Sequence, residues 1–228
     1  MSKENLLFGI VGLLAGLIIG FMFANSVNKG TVATSVSPQP QQAVDQSSLT
    51  SGQSGPNLPE VQAALERAKA EPDNFEAQVA AAELYYEIKR LDGAIDYLKR
   101  ANALKPDDYE VLVHLGNANF DSKKYEEAEG WYSKALAKKP DDVDVRTDLG
   151  LTFMFREPAN YDRAIDEFKR SLAIKPDHPQ TLQNLTVAYT KKGDAADASA
   201  TLAKLETKEP SNPSLSKLKS DIESIKTK

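Results

Sequence analysis

Between Tyr109 and Pro140 apolar and small residues recur at helical spacing, pause, and recur again. Leu112, Leu115, Gly116 and Asn119 fall three or four apart, Asp121-Ser122-Lys123-Lys124 interrupts them, and Tyr125, Ala128, Tyr132 and Ala135 resume the spacing before Pro140. An amphipathic helix needs its apolar stripe at such intervals, and proline ends a helix because it lacks the amide and clashes with the preceding turn. The stretch predicts two short helices joined by a turn.

The same unit returns in phase along the chain. Pro72, Pro106, Pro140, Pro176 and Pro210 are separated by 34, 34, 36 and 34 residues. Gln78, Ala81, Ala82, Tyr85, Ala94, Leu98 and Ala101 fill the corresponding places before Pro106. Arg146, Leu149, Gly150 and Phe153 do so next, followed by two extra residues and then Ala164, Phe168 and Ser171. Leu182, Leu185, Thr186, Tyr189, Ala198, Leu202 and Leu205 complete the last copy.

This period and order of small and large residues resemble the tetratricopeptide repeat, W-x2-L-G-x2-Y followed by A-x3-F, A and P, although the opening Trp is absent throughout. The resemblance covers Phe75 to Pro210. It implies an all-α fold, a helix-turn-helix solenoid of four full repeats at about 75–106, 109–140, 143–176 and 179–210. Leu58–Ala70 reads as a single helix ahead of the stack. Leu215, Leu218, Ile222 and Ile225 predict a closing helix over 213–227, so the solenoid is expected to span 58–228.

Ahead of it lie a short tail, 1–5, and an uncharged run, 6–24, reading LLFGIVGLLAGLIIGFMFA. As a helix the run would be about 28 Å long, a match to a hydrocarbon core of about 30 Å, and it predicts a transmembrane anchor. A cleaved secretory signal is the rival, with a shorter apolar region and a small-x-small site that Met22-Phe23-Ala24 does not supply. Gly12, Gly16 and Gly20 recur every fourth residue and would share one face, which suits either close pairing with a second copy or merely the frequency of glycine in membrane helices. Residues 25–57, rich in Ser, Gln and Thr, predict a flexible linker spanning roughly 30 Å. With the amino terminus in the cytoplasm, the expected site is a bacterial inner membrane with the repeats on the periplasmic side.

In the tetratricopeptide family the second, fifth, ninth and twelfth residues of each repeat line a concave groove. By that resemblance the lining comprises Glu76, Val79, Glu83 and Tyr86, then Glu110, Val113, Asn117 and Phe120. Asp144, Thr147, Leu151 and Met154 follow, and then Gln180, Gln183, Val187 and Thr190. A family subclass grips a peptide carboxylate with Lys, Arg and Asn here. No Lys or Arg occupies any of the sixteen positions, so the surface suits a protein or peptide with basic and apolar side chains instead.

The formal charge of −5 lies entirely in the repeats, since Lys3 and Lys29 balance Glu4 and Asp45 within residues 1–55, and an acidic solenoid repels nucleic acid. The absence of cysteine removes thiol catalysis and thiolate metal sites. His114 and His178 have no second histidine or acid at ligand spacing, and phosphate-loop, nucleophile-elbow and zinc-protease motifs are missing, so neither enzyme nor cofactor is expected. Acidic pairs at the joints, such as Asp107-Asp108 and Asp141-Asp142, read as helix caps rather than as acid–base pairs. Trp131 reads as packing, Asn184-Leu185-Thr186 as a chance glycosylation sequon, and the lengthened turn Phe155–Asn160 as neutral. The function expected is that of anchored bacterial proteins of this family in secretion, envelope assembly or cytochrome c maturation: a membrane-tethered interaction scaffold. A self-assembling structural protein using the glycine face and repeat ends is the alternative.

Overall fold

The computed structural model describes residues 58–227, which belong to one compact unit spanning 52–228. The stretches 6–24 and 25–57, with Gly12, Gly16 and Gly20, lie outside the described residues. No helix among the described residues is long and apolar enough to cross a membrane.

Among the described residues ten helices follow one another: α1 (Leu58–Ala70), α2 (Phe75–Glu87), α3 (Leu91–Leu104), α4 (Tyr109–Asp121), α5 (Tyr125–Lys138), α6 (Val143–Phe155), α7 (Tyr161–Ile174), α8 (Pro179–Lys192), α9 (Ala195–Lys208) and α10 (Leu215–Lys226). Helices α2/α3, α4/α5, α6/α7 and α8/α9 form hairpins, and the second helix of each also packs on the first helix of the next unit. No strand occurs among the described residues.

Small residues let the hairpins close. Ala94, Ala101, Ala128, Ala135, Ala164 and Ser171 are wholly buried where a second helix meets its own first helix. Larger residues then fill the remaining core, where Phe153, Phe168 and Tyr132 are at most 2% exposed. Burying one such ring contributes roughly 1.5–3 kcal/mol. A single core cluster runs from Leu112 to Ile222.

The joint residues act as caps, but it is the second polar residue after each proline that does so. Asn74, Asp108 and Asp142 each accept a bond from the amide three residues on, at 3.1, 3.0 and 2.9 Å. The preceding acids serve differently: Asp107 pairs with Lys138 at 2.6 Å, and Asp177 pairs with Lys208. At the fourth joint His178 makes no cap bond to the backbone, and Pro179 at the first helical position needs none.

An equivalent backbone bond spans the turn inside each of three hairpins, Arg90 N to Tyr85 O, Lys124 N to Asn119 O and Asp194 N to Tyr189 O. In the α6/α7 hairpin Asn160 N donates to Phe153 O at 2.7 Å, so the two extra residues bulge out within the same closure and leave the helix packing in phase. Lys89, Lys123 and Gly193 occupy the left-handed region at equivalent places in the other three turns.

Helix α1 buries Val61 and Ala68, and Gln78 Nε2 donates to the carbonyls of Ala68 and Glu71 at 2.7 and 3.2 Å, satisfying its carboxyl end. Where the second helices place Ala101 and Ala135 against a partner, α1 carries exposed Arg67, paired with Glu71 at 3.3 Å. Its outer face is polar. At the other end Leu215, Leu218 and Ile222 of α10 are buried against α8 and α9.

Candidate functional site: the face lined by the first helices

Helices α2, α4, α6 and α8 stand side by side and form one face. Tyr86 of α2 bonds to Asp121 at the end of α4. Thr147 of α6 meets Thr181 of α8 at 2.6 Å, and Asp144 of α6 meets His178 at 3.1 Å.

Of the sixteen lining positions, Tyr86, Thr147 and Leu151 are buried. They form the floor. Thr147, wholly buried, donates to Val143 O at 2.7 Å, and Thr181 links it onward to His178 Nδ1 at 2.8 Å. His178 thus has an acid partner after all, 34 residues away in sequence and invisible to a search by local spacing.

Glu76, Glu83, Glu110 and Asp144 are exposed. Glu76 is drawn to Lys105 and Glu110 to Lys139, each lysine lying at the end of the same repeat, at 3.3 and 3.6 Å. Asn117 accepts from the Tyr132 hydroxyl at 2.8 Å. Phe120 stacks edge-on against Tyr125 and Phe155, with centroids at 5.3 and 5.8 Å, so this residue belongs to an aromatic corner at the rim. Val79, Val113, Met154, Gln180, Gln183, Val187 and Thr190 are half-buried.

The sequence reading missed a row at the sixth place of each repeat: Ala80, His114, Asp148 and Asn184. Asp148 follows Asp144 by one helical turn, and that spacing was the available signal. Burial holds its carboxyl well above the usual carboxylate range, and Asp144, Asp142 and Asp121 push in the same direction. It has no hydrogen bond or ion pair among the described residues. Burial likewise raises Asp121, against a Tyr86 hydrogen bond and the Lys89 charge that act to lower it. Burial first, then Asp121, pushes the Tyr86 phenol far up.

Two amides on the same face also lack a partner, Gln180 Nε2 and Asn184 Nδ2. Asn184 and Thr186 of the sequon are buried in α8 and inaccessible to a glycosyltransferase in the folded chain. Trp131 packs on the core cluster with Lys134 Nζ 4.1 Å above its ring, on the opposite side of the molecule. No group of His and acidic residues fit to hold a metal occurs among the described residues.

Profiles described as tetratricopeptide repeat match residues 89–149 and 156–222, and a second of that description matches 58–109. No curated protein matches the sequence. Among solved structures the fold is similar to a crystal structure of MamA, at 27% identity and a TM-score of 0.61, over 66% of this chain and 86% of that one. A second crystal structure of MamA gives 27% and 0.60, over 66% and 81%. MamA from Desulfovibrio magneticus RS-1, residues 41 to the end, gives 18% and 0.61 over 67% and 85%, a likeness of fold alone.

Proposed function

This chain belongs to the tetratricopeptide repeat family, and on that premise we propose that it is a non-enzymatic scaffold, tethered by residues 6–24, that holds a protein partner against the face lined by its first helices. In the family that face is the concave groove. The observation carrying this reading is Asp148, a half-buried carboxylate near Asp121, Asp142 and Asp144 that makes no hydrogen bond or ion pair among the described residues, on a face whose sixteen lining positions hold no Lys or Arg.

Burying a carboxylate costs free energy unless a cation or donors offset it. A Lys or Arg from a partner would restore the charged form of Asp148 and gain a charge-assisted bond. Half-buried Val113, Met154 and Val187 offer apolar contact on the same face, and the Gln180 and Asn184 amides would take backbone carbonyls. The fitting partner is a segment, extended or a short helix, with basic and apolar side chains.

The tether is supported by the length and apolarity of 6–24; in this reading the repeats lie on the periplasmic side of a bacterial inner membrane and copies pair through Gly12, Gly16 and Gly20. Secretion, envelope assembly and cytochrome c maturation are the processes such a scaffold would serve.

A photocrosslinker at Met154 of the full chain, in native membranes, tests the groove. It should capture one protein that a crosslinker at exposed Ala137 does not, and Asp148→Lys should abolish the product. A product unchanged by that substitution refutes the groove. Release of the full chain by alkaline carbonate would refute the tether independently.

A further inference from the structure

The second helices carry a feature of their own on the opposite side. Counting six residues on from the buried alanines Ala94, Ala128, Ala164 and Ala198 gives Arg100, Lys134, Arg170 and Lys204, one exposed cation per repeat in register. Lys99 and Lys169 precede two of them and are exposed as well.

Five of these six cations hold no carboxylate among the described residues, and Lys169 lies over the Tyr189 ring at 5.7 Å. Lys105, Lys124, Lys138, Lys139, Lys192 and Lys208 each hold a carboxylate. In the row only Arg170 does, reaching buried Glu167 at 2.9 Å. Arg100 and Lys134 lie over the Tyr97 and Trp131 rings of their own helices, at 4.9 and 4.1 Å. Asp96 and Asp166, one turn back, form no ion pair among the described residues, and the row keeps an excess of positive charge.

One turn further on, the same face turns apolar. Leu104 and Ile174 are 36% and 45% exposed, two of only four large hydrophobic side chains so exposed among the described residues, and exposed Ala103, Ala137 and Ala173 join them. A row of cations, five of six without a carboxylate partner, beside exposed Leu104 and Ile174 is the kind of surface that lies in a bilayer interface, with heads among anionic phosphates and apolar groups at the acyl boundary.

We propose that this row, Lys99, Arg100, Lys134, Lys169, Arg170 and Lys204 with Leu104 and Ile174, docks the solenoid on an anionic lipid surface. Charge complementarity selects that occupant. The overall charge of −5 opposes approach to such a surface, and the opposition is least with the row inward and the acidic first-helix face turned to solvent. Lipid contact stands on the row alone; its use for presenting the groove rests on the tethered-scaffold reading, in which the 33 linker residues 25–57 keep the solenoid within reach.

Residues 58–228 hold a complete core and can be tested without the anchor. They should co-sediment with phosphatidylcholine vesicles containing about one third phosphatidylglycerol, not with phosphatidylcholine alone, and high salt should release them. Arg100, Lys134 and Lys204 changed together to Glu should weaken binding by roughly tenfold or more with unchanged helicity. The corresponding Gln triple, free of added repulsion, should fall between. Arg170 is left intact because it supports Glu167.

Failure of the wild type to bind anionic vesicles, or equal binding by the Glu triple, overturns the proposal. So does a result in which the triple abolishes self-association or capture of poly-glutamate while vesicles are ignored, since the occupant is then a second copy or an acidic protein. None of these outcomes bears on carbonate extraction of the full chain, so the row and the tether fail separately.

Discussion

A Cβ placed on Gly116 would lie 2.4 Å from Cε1 of Tyr132, closer than any real side chain approaches another. Gly150 stands in the same relation to Phe168, also at 2.4 Å. Each pair is the point where two antiparallel helices of a hairpin come close enough to share a core, and the aromatic ring fills the space that the glycine leaves.

Gly116→Ala should therefore cost about 1–3 kcal/mol, because Tyr132 is locked on all sides and cannot swing away. Gly130, also helical, has nothing within 4 Å, and Gly130→Ala should stabilise by up to about 1 kcal/mol. Urea unfolding of the two variants reads both signs, and equal effects would contradict the close approach.

Asp142 does two jobs, accepting from the Val145 amide at 2.9 Å and from the Tyr109 hydroxyl at 2.6 Å across the repeat. Removing it leaves two donors unpaired. Asp142→Ala should cost about 2 kcal/mol, whereas the neighbouring exposed Asp141→Ala should stay within about 0.5 kcal/mol. Thermal melts of the pair distinguish a cap from a generic acidic joint.

Glu167 is 4% exposed and is held by Arg146 at 3.0 Å, where the family places its opening aromatic. Arg146→Leu leaves the buried carboxylate with Arg170 as its one remaining partner and should destabilise by about 1–3 kcal/mol, while Arg146→Leu with Glu167→Leu should recover most of that loss. A double-mutant cycle by denaturant measures the recovery, and additive losses would show that the pair is not coupled.

The raised carboxyl of Asp148 fixes the sign of a pH effect. Between the unfolded and the folded pKa the native state binds the extra proton, so stability contributed by the protonated acid is complete below the ordinary aspartate range and is lost as pH rises through the folded value. Asp148→Asn should accordingly be more stable than wild type at neutral pH, with the difference vanishing below about pH 3. Unfolding curves across that range would show it, and a constant difference would mean that burial does not govern this group.

Much of the architecture was legible because a repeat announces itself by phase. Ala94, Ala128, Ala164 and Ala198 mark the same packing point four times, and the helix ends near each proline followed from local chemistry alone. The two-residue insertion was readable as a longer turn, but its harmlessness rests on Asn160 N closing to Phe153 O just as the shorter turns close. Position rules from the family named Tyr86, Thr147 and Leu151 as groove lining, and the depth of those side chains depends on how far each helix rolls against its neighbour.

What the sequence determined by itself is therefore one-dimensional: a period, a hairpin in each period, and a cap at each joint, all set by residues within a few turns of one another. Only the stacking of units decided the rest. Asp121 beside Asp148, Asp144 beside His178, and four cations aligned along the outer face are relations between residues about one repeat apart. Coulomb and hydration energies depend on distances in space, and those distances exist only once the hairpins have packed.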